Sequence, residues 1–188
     1  MELFEAIRGR RSIRSYTESK VKEKDLNKIL EAATWAPSAC NKQSWRFVVV
    51  RKPAIIQKLY KAASYSTQHQ IFVKKARVVI VVCSDLNVYK TFPNKERALS
   101  LFTIQETAAA TQNLLLAAHS LGLGACWVSL FSEDQVKEAL NLPRNVRPLV
   151  IVPLGHTKSK TTPKPRKPLK DVISYDRFQN DDARRKKD

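Results

Sequence analysis

The first group of residues with recognisable chemistry is a cluster of arginines near the N-terminus. Arg8, Arg10, Arg11 and Arg14 fall within seven positions around Ser12. A guanidinium group can hold two oxygens of a phosphate at once, and a serine hydroxyl adds a neutral hydrogen-bond donor. The cluster therefore predicts an anion site, and a solvated basic loop is the alternative. For Arg8 the solvated loop is the favoured interpretation.

A second basic stretch covers residues 158–170, where six basic residues and no acidic one occur. It contributes to a net charge of +17, which favours anionic partners such as nucleic acid, acidic lipid or a phosphorylated small molecule. A surface rich in lysine and arginine also occurs as an adaptation to high temperature. Composition therefore leaves the partner open.

Polar side chains also occupy residues 37–43, directly after a predicted helix that Pro37 must end. The amide of Asn41 can both donate and accept hydrogen bonds, as a ligand-binding side chain does. Asparagine is also frequent in the turn that ends a helix, which is the other interpretation. From the residues alone, the two interpretations of Asn41 carry equal weight.

The spacing of cysteine and histidine argues against a metal centre. Cys40, Cys83 and Cys126 form no CxxC pair, and the three histidines form no HxxxH pair. Cys83 and Cys126 lie in apolar runs and are expected to be buried thiols. Cys40 is expected to be a packed or exposed thiol rather than a redox-active one. No catalytic triad is recognisable, so the sequence predicts no catalytic side chain.

The predicted elements that position these residues alternate along most of the chain. Apolar spacing and proline positions predict helices over residues 3–9, 21–36, 53–63, 100–121 and 132–140. Aromatic and β-branched runs predict strands over residues 45–50, 77–84, 122–130 and 147–155. This order predicts an α+β or α/β layered domain with helices packed on a small sheet.

Residues 1–178 are expected to form one domain. Its last part, residues 158–178, is expected to be an extended arm, and residues 179–188 a charged, disordered tail. The helix over residues 100–121 is apolar on nearly every side, so it is expected at the domain centre or in a subunit interface. The chain shows neither a signal-peptide pattern nor an apolar run that could span a membrane, so a cytoplasmic location without a membrane partner is expected.

Four stretches, taken together and in order, resemble the nitroreductase family of FMN-dependent oxidoreductases. They are RRSIRSY at 10–16, APSACNKQSWRF at 36–47, the long helix running into GLGACWVS, and KPRKPLKDVI at 164–173. The first is similar to the family's phosphate-binding R-R-S-x-R-x-[FY], and the second to A-P-S-x-x-N-x-Q-P-W-x-F. Ser44 departs from the second pattern, in which proline is common at that position. The resemblance spans nearly the whole chain.

The resemblance implies a nitroreductase-like α+β fold, with helices flanking a small central mixed sheet and the long helix in a homodimer interface. It also implies non-covalently bound FMN with ligands from both chains, because residues 37–43 reach the flavin held by the other subunit's arginines. In the family, an amide side chain near residue 68 touches the flavin. The match is loose at this point, so either Gln68 or Gln70 could correspond to it. The FMN-binding residues implied in this way are Arg10, Arg11, Ser12, Arg14, Pro37, Ser38, Ala39, Asn41, Gln43, Gln68, Lys164 and Arg166.

The activity implied by the resemblance is hydride transfer from NAD(P)H, through N5 of the flavin, to a small electron-poor acceptor such as a nitroaromatic compound or a quinone. Nicotinamide and acceptor would use one open face in turn, in a ping-pong order that needs no acid–base side chain. Dehalogenation, enal reduction and flavin cleavage stay open, as does the choice between NADH and NADPH. A basic nucleic-acid-binding protein is the alternative from another class, although no interleaved aromatic residues offer a stacking platform.

Overall fold

A computed structural model describes residues 1–64, 70–159 and 161–178. Gln68 and the charged tail expected over residues 179–188 lie outside these ranges. Within them, the chain forms seven α-helices and four β-strands in an α+β arrangement. The α+β class expected from the sequence is thus confirmed.

A four-stranded sheet separates two hydrophobic cores. Its strands are β1 (Trp45–Val50), β2 (Val78–Asp85), β3 (Leu123–Ala125) and β4 (Val146–His156), in the spatial order β1-β2-β4-β3. Both faces of β2 are covered, so successive residues such as Ile80 and Val81 enter opposite cores. This two-sided burial explains why β2 reads as a continuous apolar run.

All ladders between these strands are antiparallel, so the mixed sheet that the resemblance implied is wrong. β1 and β2 are antiparallel neighbours although a helix separates them, because that connection leaves and re-enters the sheet at the same end. The parallel component is one isolated bridge between Ser12 and Ala125.

The strand predicted over residues 122–130 is interrupted. β3 ends at Ala125, and Val128 rejoins the sheet through a single bridge to Ile151. Between them, the amide of Cys126 donates to the carbonyl of Pro153 at 3.3 Å. Proline has no N–H with which to return a hydrogen bond, so the ladder is broken at this pair.

Helices cover both faces of the sheet. α2 (Glu23–Thr34) and α6 (Thr103–Ser120) enclose one core, while α3 (Pro53–Ala63), α4 (Phe72–Lys75) and α7 (Glu133–Leu140) enclose the other. The short α1 (Leu3–Gly9) contacts α6, and α5 (Lys95–Arg97) leads into a π-helical turn. Thus the two helical layers hold the sheet from opposite sides.

The longest helix, α6, lies at the centre of the domain. The sequence predicts its start three residues early, because the preceding turn Ala98–Phe102 is π-helical rather than α-helical. Ala110, Leu114 and Ala118 are fully buried, whereas Ile104 is 42% exposed. The helix therefore fills the core and still presents apolar surface to solvent.

Two further regions expose apolar side chains. α1 exposes Leu3, Phe4 and Ile7, and the arm after β4 exposes Leu169, Val172, Tyr175 and Phe178. Over residues 161–178 the arm contains a 3-10 turn at Leu169–Asp171 and no other helix or strand. In the part of the chain that the structure describes, no helix is long and apolar enough to cross a membrane.

Candidate functional site

The arginine cluster lies on an extended segment, residues 10–17, that follows α1 and runs along β3. The amide of Ile13 donates to the carbonyl of Ala125 at 2.9 Å. Tyr16 shares its hydroxyl proton between the carbonyls of Ile13, at 2.7 Å, and Pro153, at 3.1 Å. These bonds fix the segment against β3 and β4, which in turn fixes the direction of the arginine side chains.

Two glycines permit the close approach of this segment. A Cβ at Gly124 would lie 2.6 Å from Cγ2 of Ile13, so a side chain there would push the segment away from β3. A Cβ at Gly9 would lie 2.7 Å from Nε2 of His119, which packs over the end of α1. Gly9 and Gly124 thus bring the arginine segment against both the sheet and α6.

Arg11 turns back towards α1. Its Nη1 donates to the carbonyls of Arg8, at 2.5 Å, and Arg10, at 2.8 Å, near the C-terminus of that helix. Its Nε is buried and has no hydrogen-bond partner among the described residues. Burial and the positive charges of Arg10 and Arg11 lower the pKa of His119 below its ordinary value. This side of the segment therefore has a positive potential and an unused buried donor.

Ser12 and Arg14 lie near Cys126, on the same side of the extended segment. Burial raises the pKa of the Cys126 thiol, and the lowering effects of Arg14, of a hydrogen bond with Ser12 and of Arg10 are smaller. The guanidinium of Arg14 lies 5.6 Å from the ring centroid of Phe72, within reach of a cation–π contact. Of the four residues of this segment expected to bind FMN, Ser12 and Arg14 thus lie near Cys126, and Arg11 turns towards α1. The charge of Arg10 acts on both His119 and Cys126.

A pocket of about 330 Å³ opens beside Arg10 and Arg11. Its other polar lining residues are His119, in the last turn of α6, and Thr157, Ser159 and Thr161, which follow β4. Two guanidinium groups, three hydroxyls and one imidazole suit an anion rather than a cation. No residue of the loop 37–43 lines this pocket among the described residues, so within one chain the two predicted halves of the site are separate.

The loop 37–43 has an unusual backbone. Cys40, Asn41 and Gln43 have φ values of 50°, 54° and 52°, in the left-handed region that non-glycine residues seldom adopt. The amide of Gln43 donates to Oγ of Ser38 at 3.0 Å, and Nε2 of Gln43 donates to Oδ1 of Asn41 at 2.8 Å. Such conformations persist only where surrounding contacts enforce them, and they are typical of binding sites.

Sequence reasoning missed a buried polar cluster at the end of this loop. Ser44 donates its hydroxyl proton to Oε1 of Glu106, and Tyr89 donates to Oε2 at 2.8 Å. Oγ of Ser84 lies 2.7 Å from Oγ of Ser44. One signal was visible beforehand, because Glu106 is the sole acidic residue of α6. His119 was not singled out either, since the residues near it are Gly9, at the end of α1, and Arg10 and Arg11, which follow that helix.

The remaining predicted ligands lie at the surface. Lys164 and Arg166 are exposed, and Nη1 of Arg166 donates to the carbonyls of Lys164, at 3.3 Å, and Pro165, at 3.4 Å. Gln70 donates to the carbonyl of Leu130 at 3.3 Å, while its competitor Gln68 lies outside the described residues. The arm thus reaches the pocket through Thr161, and the described hydrogen bonds of Arg166 go to the backbone of the two preceding residues. No group of three or more potential metal ligands occurs among the described residues.

Comparisons with known proteins agree with this architecture. The nitroreductase family model matches residues 7–70 and 64–156. A Methanothermobacter thermautotrophicus protein named "Putative NADH dehydrogenase/NAD(P)H nitroreductase" is 39% identical over 160 residues, which are 83% of this chain and 78% of that protein. A Bacillus subtilis protein named FMN reductase (NADPH) is 27% identical over 183 residues, 90% of this chain and 71% of that protein.

Solved structures share the fold. A crystal structure from Parabacteroides distasonis, with the same name as the Methanothermobacter protein, matches at a TM-score of 0.80 and 29% identity, covering 93% of this chain and 98% of that one. The chain belongs to the nitroreductase family. The recognition made from the sequence and the nitroreductase-like fold that it implied are both confirmed.

Proposed function

We propose that the protein is an FMN-dependent oxidoreductase that uses NAD(P)H to reduce a small electron-poor acceptor, such as a nitroaromatic compound or a quinone. The observation that carries this proposal is the positively charged pocket beside Arg10 and Arg11, with the buried, unpartnered Nε of Arg11. Relatives named FMN reductase and NAD(P)H nitroreductase support the same enzyme class and the same cofactors.

The residues around the pocket fit the phosphate end of FMN. Arg10 and Arg11 supply guanidinium donors, and the hydroxyls of Thr157 and Ser159 supply neutral ones. Charge-assisted hydrogen bonds of this kind contribute about 1.5–3 kcal/mol each, so two or three suffice for a dissociable cofactor. Ser12 and Arg14 would line the ribityl side, and Lys164 and Arg166 would close over the phosphate from the arm.

The loop 37–43 would supply the ring-binding half of the site. Asn41 and Gln43 offer amide donors and acceptors of the kind that the flavin's imide and carbonyl groups require, and Pro37, Ser38 and Ala39 complete the contact. Bound FMN would supply two-electron transfer, with hydride entering from NAD(P)H and leaving to the acceptor in ping-pong order. The protein's own task is to orient the cofactor and leave one face open to each substrate in turn.

The active species is proposed to be a homodimer in which each site uses two chains. The pocket and the loop 37–43 are separate within one chain, so a partner's loop would complete each pocket. The exposed side chains Leu3, Phe4 and Ile7, with those of the arm, supply apolar surface of the kind that interfaces bury. A two-fold axis would complete both sites at once. The cytoplasmic location stays a prediction.

The test is cofactor content followed by anaerobic reduction. Acid release and chromatography should yield FMN rather than FAD, and apoprotein should rebind FMN at micromolar concentration. Stopped-flow reduction with NADH and NADPH separately would then identify the donor, and a panel of nitroaromatics, quinones and enals the acceptor. Absence of flavin and failure to take up FMN would overturn the proposal. Tight, salt-dependent RNA binding by the same flavin-free protein would favour the nucleic-acid alternative.

A further inference from the structure

The buried polar cluster beneath the loop 37–43 joins three separate parts of the chain. Glu106 comes from the first turn of α6, Ser84 from the end of β2, and Tyr89 from the turn that follows β2. Ser44 connects them to the loop. Glu106 is 3% exposed, and the other three are fully buried. A carboxylate in such a position is costly unless its oxygens accept hydrogen bonds, so the cluster must stay closed.

The direction of these hydrogen bonds can be worked out from proton counting. A serine hydroxyl has one proton, and Ser44 donates its proton to Glu106. The contact of 2.7 Å between the two serine hydroxyls therefore runs from Ser84 to Ser44. Tyr89 donates to the second carboxylate oxygen. Burial, followed by its hydrogen bond to Glu106, raises the pKa of Tyr89, so the phenol keeps the proton that it donates.

Ser44 is the residue through which this cluster can act on the loop. It follows Gln43 directly, and its carbonyl accepts a hydrogen bond from the amide of Asp85 at 2.8 Å. Both its side chain and its backbone are thus fixed to the domain core. The left-handed residues before it would relax if that anchor were lost, because their conformation is unfavourable on its own.

We propose that Glu106 is a positioning residue that holds the loop 37–43 in its binding conformation through the hydroxyl of Ser44. The inference rests on the proposed function, since the loop's ligand is taken to be FMN. It concerns a feature of this chain in particular, because Ser44 stands where the similar motif commonly has proline. Glu106 itself does not touch the ligand; it sets the geometry of the residues that do.

The experiment compares Ser44→Ala and Glu106→Gln with wild type and with Thr111→Val. Thr111 is a fully buried α6 residue whose hydroxyl bonds the carbonyl of Thr107 at 2.7 Å, so its substitution controls for a general disturbance of the helix. The first readout is amide hydrogen exchange of the flavin-free protein over residues 38–44. In the structure, the backbone amides of Asn41, Lys42 and Gln43 donate hydrogen bonds to Ser38 or Ala39, so they are protected from exchange as long as the loop keeps this conformation.

We expect exchange in this peptide to be about tenfold faster in Ser44→Ala and Glu106→Gln, and unchanged in Thr111→Val. The dissociation constant for FMN should rise by a similar factor. Ser44→Ala should add nothing in a Glu106→Gln background, because both act on one link. A general loss of stability would speed exchange throughout the protein and would add up in the double variant. Faster exchange confined to residues 38–44, without an additive effect, therefore distinguishes the positioning role.

Unchanged exchange over residues 38–44 in Ser44→Ala would overturn the inference, as would equal acceleration in Thr111→Val. Wild-type protein that binds no FMN would instead defeat the proposed function, and the exchange measurement would still decide the positioning role. If the wild type binds FMN and both Ser44→Ala and Glu106→Gln bind it with the same affinity as wild type, the proposed function stands and the role of Glu106 is refuted. If Glu106→Gln fails to fold, Ser44→Ala decides the matter alone.

Discussion

Arg10 and Arg11 are neighbours in sequence, yet their replacement should have different consequences. Arg10→Ala should weaken FMN binding and leave the fold unchanged. Loss of a charge-assisted hydrogen bond of about 1.5–3 kcal/mol corresponds to a roughly tenfold to hundredfold rise in the dissociation constant. Because Arg10 is partly exposed, solvent screening favours the lower end, about tenfold.

Arg11→Ala should weaken FMN binding and also destabilise the protein. Its Nη1 bonds two carbonyls at the end of α1, and two such bonds contribute about 1–3 kcal/mol in net terms. For a chain of this size, each kcal/mol lowers the midpoint of thermal unfolding by about 2–4 °C. Removal of Arg11 should thus lower that midpoint by several degrees, whereas removal of Arg10 should not.

Both variants are measured by fluorescence titration of apoprotein with FMN and by thermal unfolding without flavin. Arg8→Ala is the matched control, since Arg8 is exposed and only approaches the Phe4 ring, 5.9 Å from its centroid. It should bind FMN as wild type does. Wild-type affinity in both Arg10→Ala and Arg11→Ala would refute the assignment of this pocket to the phosphate. Equal loss in Arg8→Ala would mean that net charge, rather than site geometry, governs binding.

Three further predictions concern the same region. Gly124→Ala should destabilise the fold by about 1–3 kcal/mol, read by denaturant unfolding, because the new Cβ overlaps Ile13; a neutral effect would contradict the close approach. The pKa of His119 is lower in the folded protein than in the unfolded chain, so the unfolded chain binds this proton at a higher pH. The free energy of unfolding of the wild type should therefore decrease as the pH falls below about 6.5, and it should decrease less in His119→Gln. A mixed dimer of Arg10→Ala and Asn41→Ala chains should keep one intact FMN site; two equally impaired sites would exclude shared ligands.

Local patterns predicted most of the elements. The run RVVIVVCS is typical of a strand covered on both faces, and Pro53 suits the first position of a helix. The left-handed backbone of Cys40, Asn41 and Gln43 could not be predicted, since none of them is glycine. The interruption after Ala125 arises because Cys126 faces Pro153 across the ladder. Which residues face each other between distant strands is set by the tertiary structure, so local sequence could not predict it.

For the candidate site, the sequence predicted which residues would take part, and that assignment stays a prediction; their geometry could be predicted less well. The basic cluster predicted an anion site, and a pocket of the right charge lies there. The opposite directions of Arg11 and Ser12 follow from the extended course of residues 10–17, which is visible only once that segment pairs with β3. Glu106 could be noticed as an acid in an apolar helix, but its partners lie 62 and 17 residues away in sequence.

The extended segment that carries the arginines also protects the edge of the sheet. β3 is the outermost strand on its side, and an unpaired strand edge is a template for association with other chains. Ser12 and Ile13 occupy that edge through the bridge to Ala125 and the hydrogen bond to its carbonyl. A ligand bound by Arg10 and Arg11 would therefore also stabilise the extended segment that covers the edge of β3. Cofactor depletion should make this edge the place where filaments or precipitates of the protein begin.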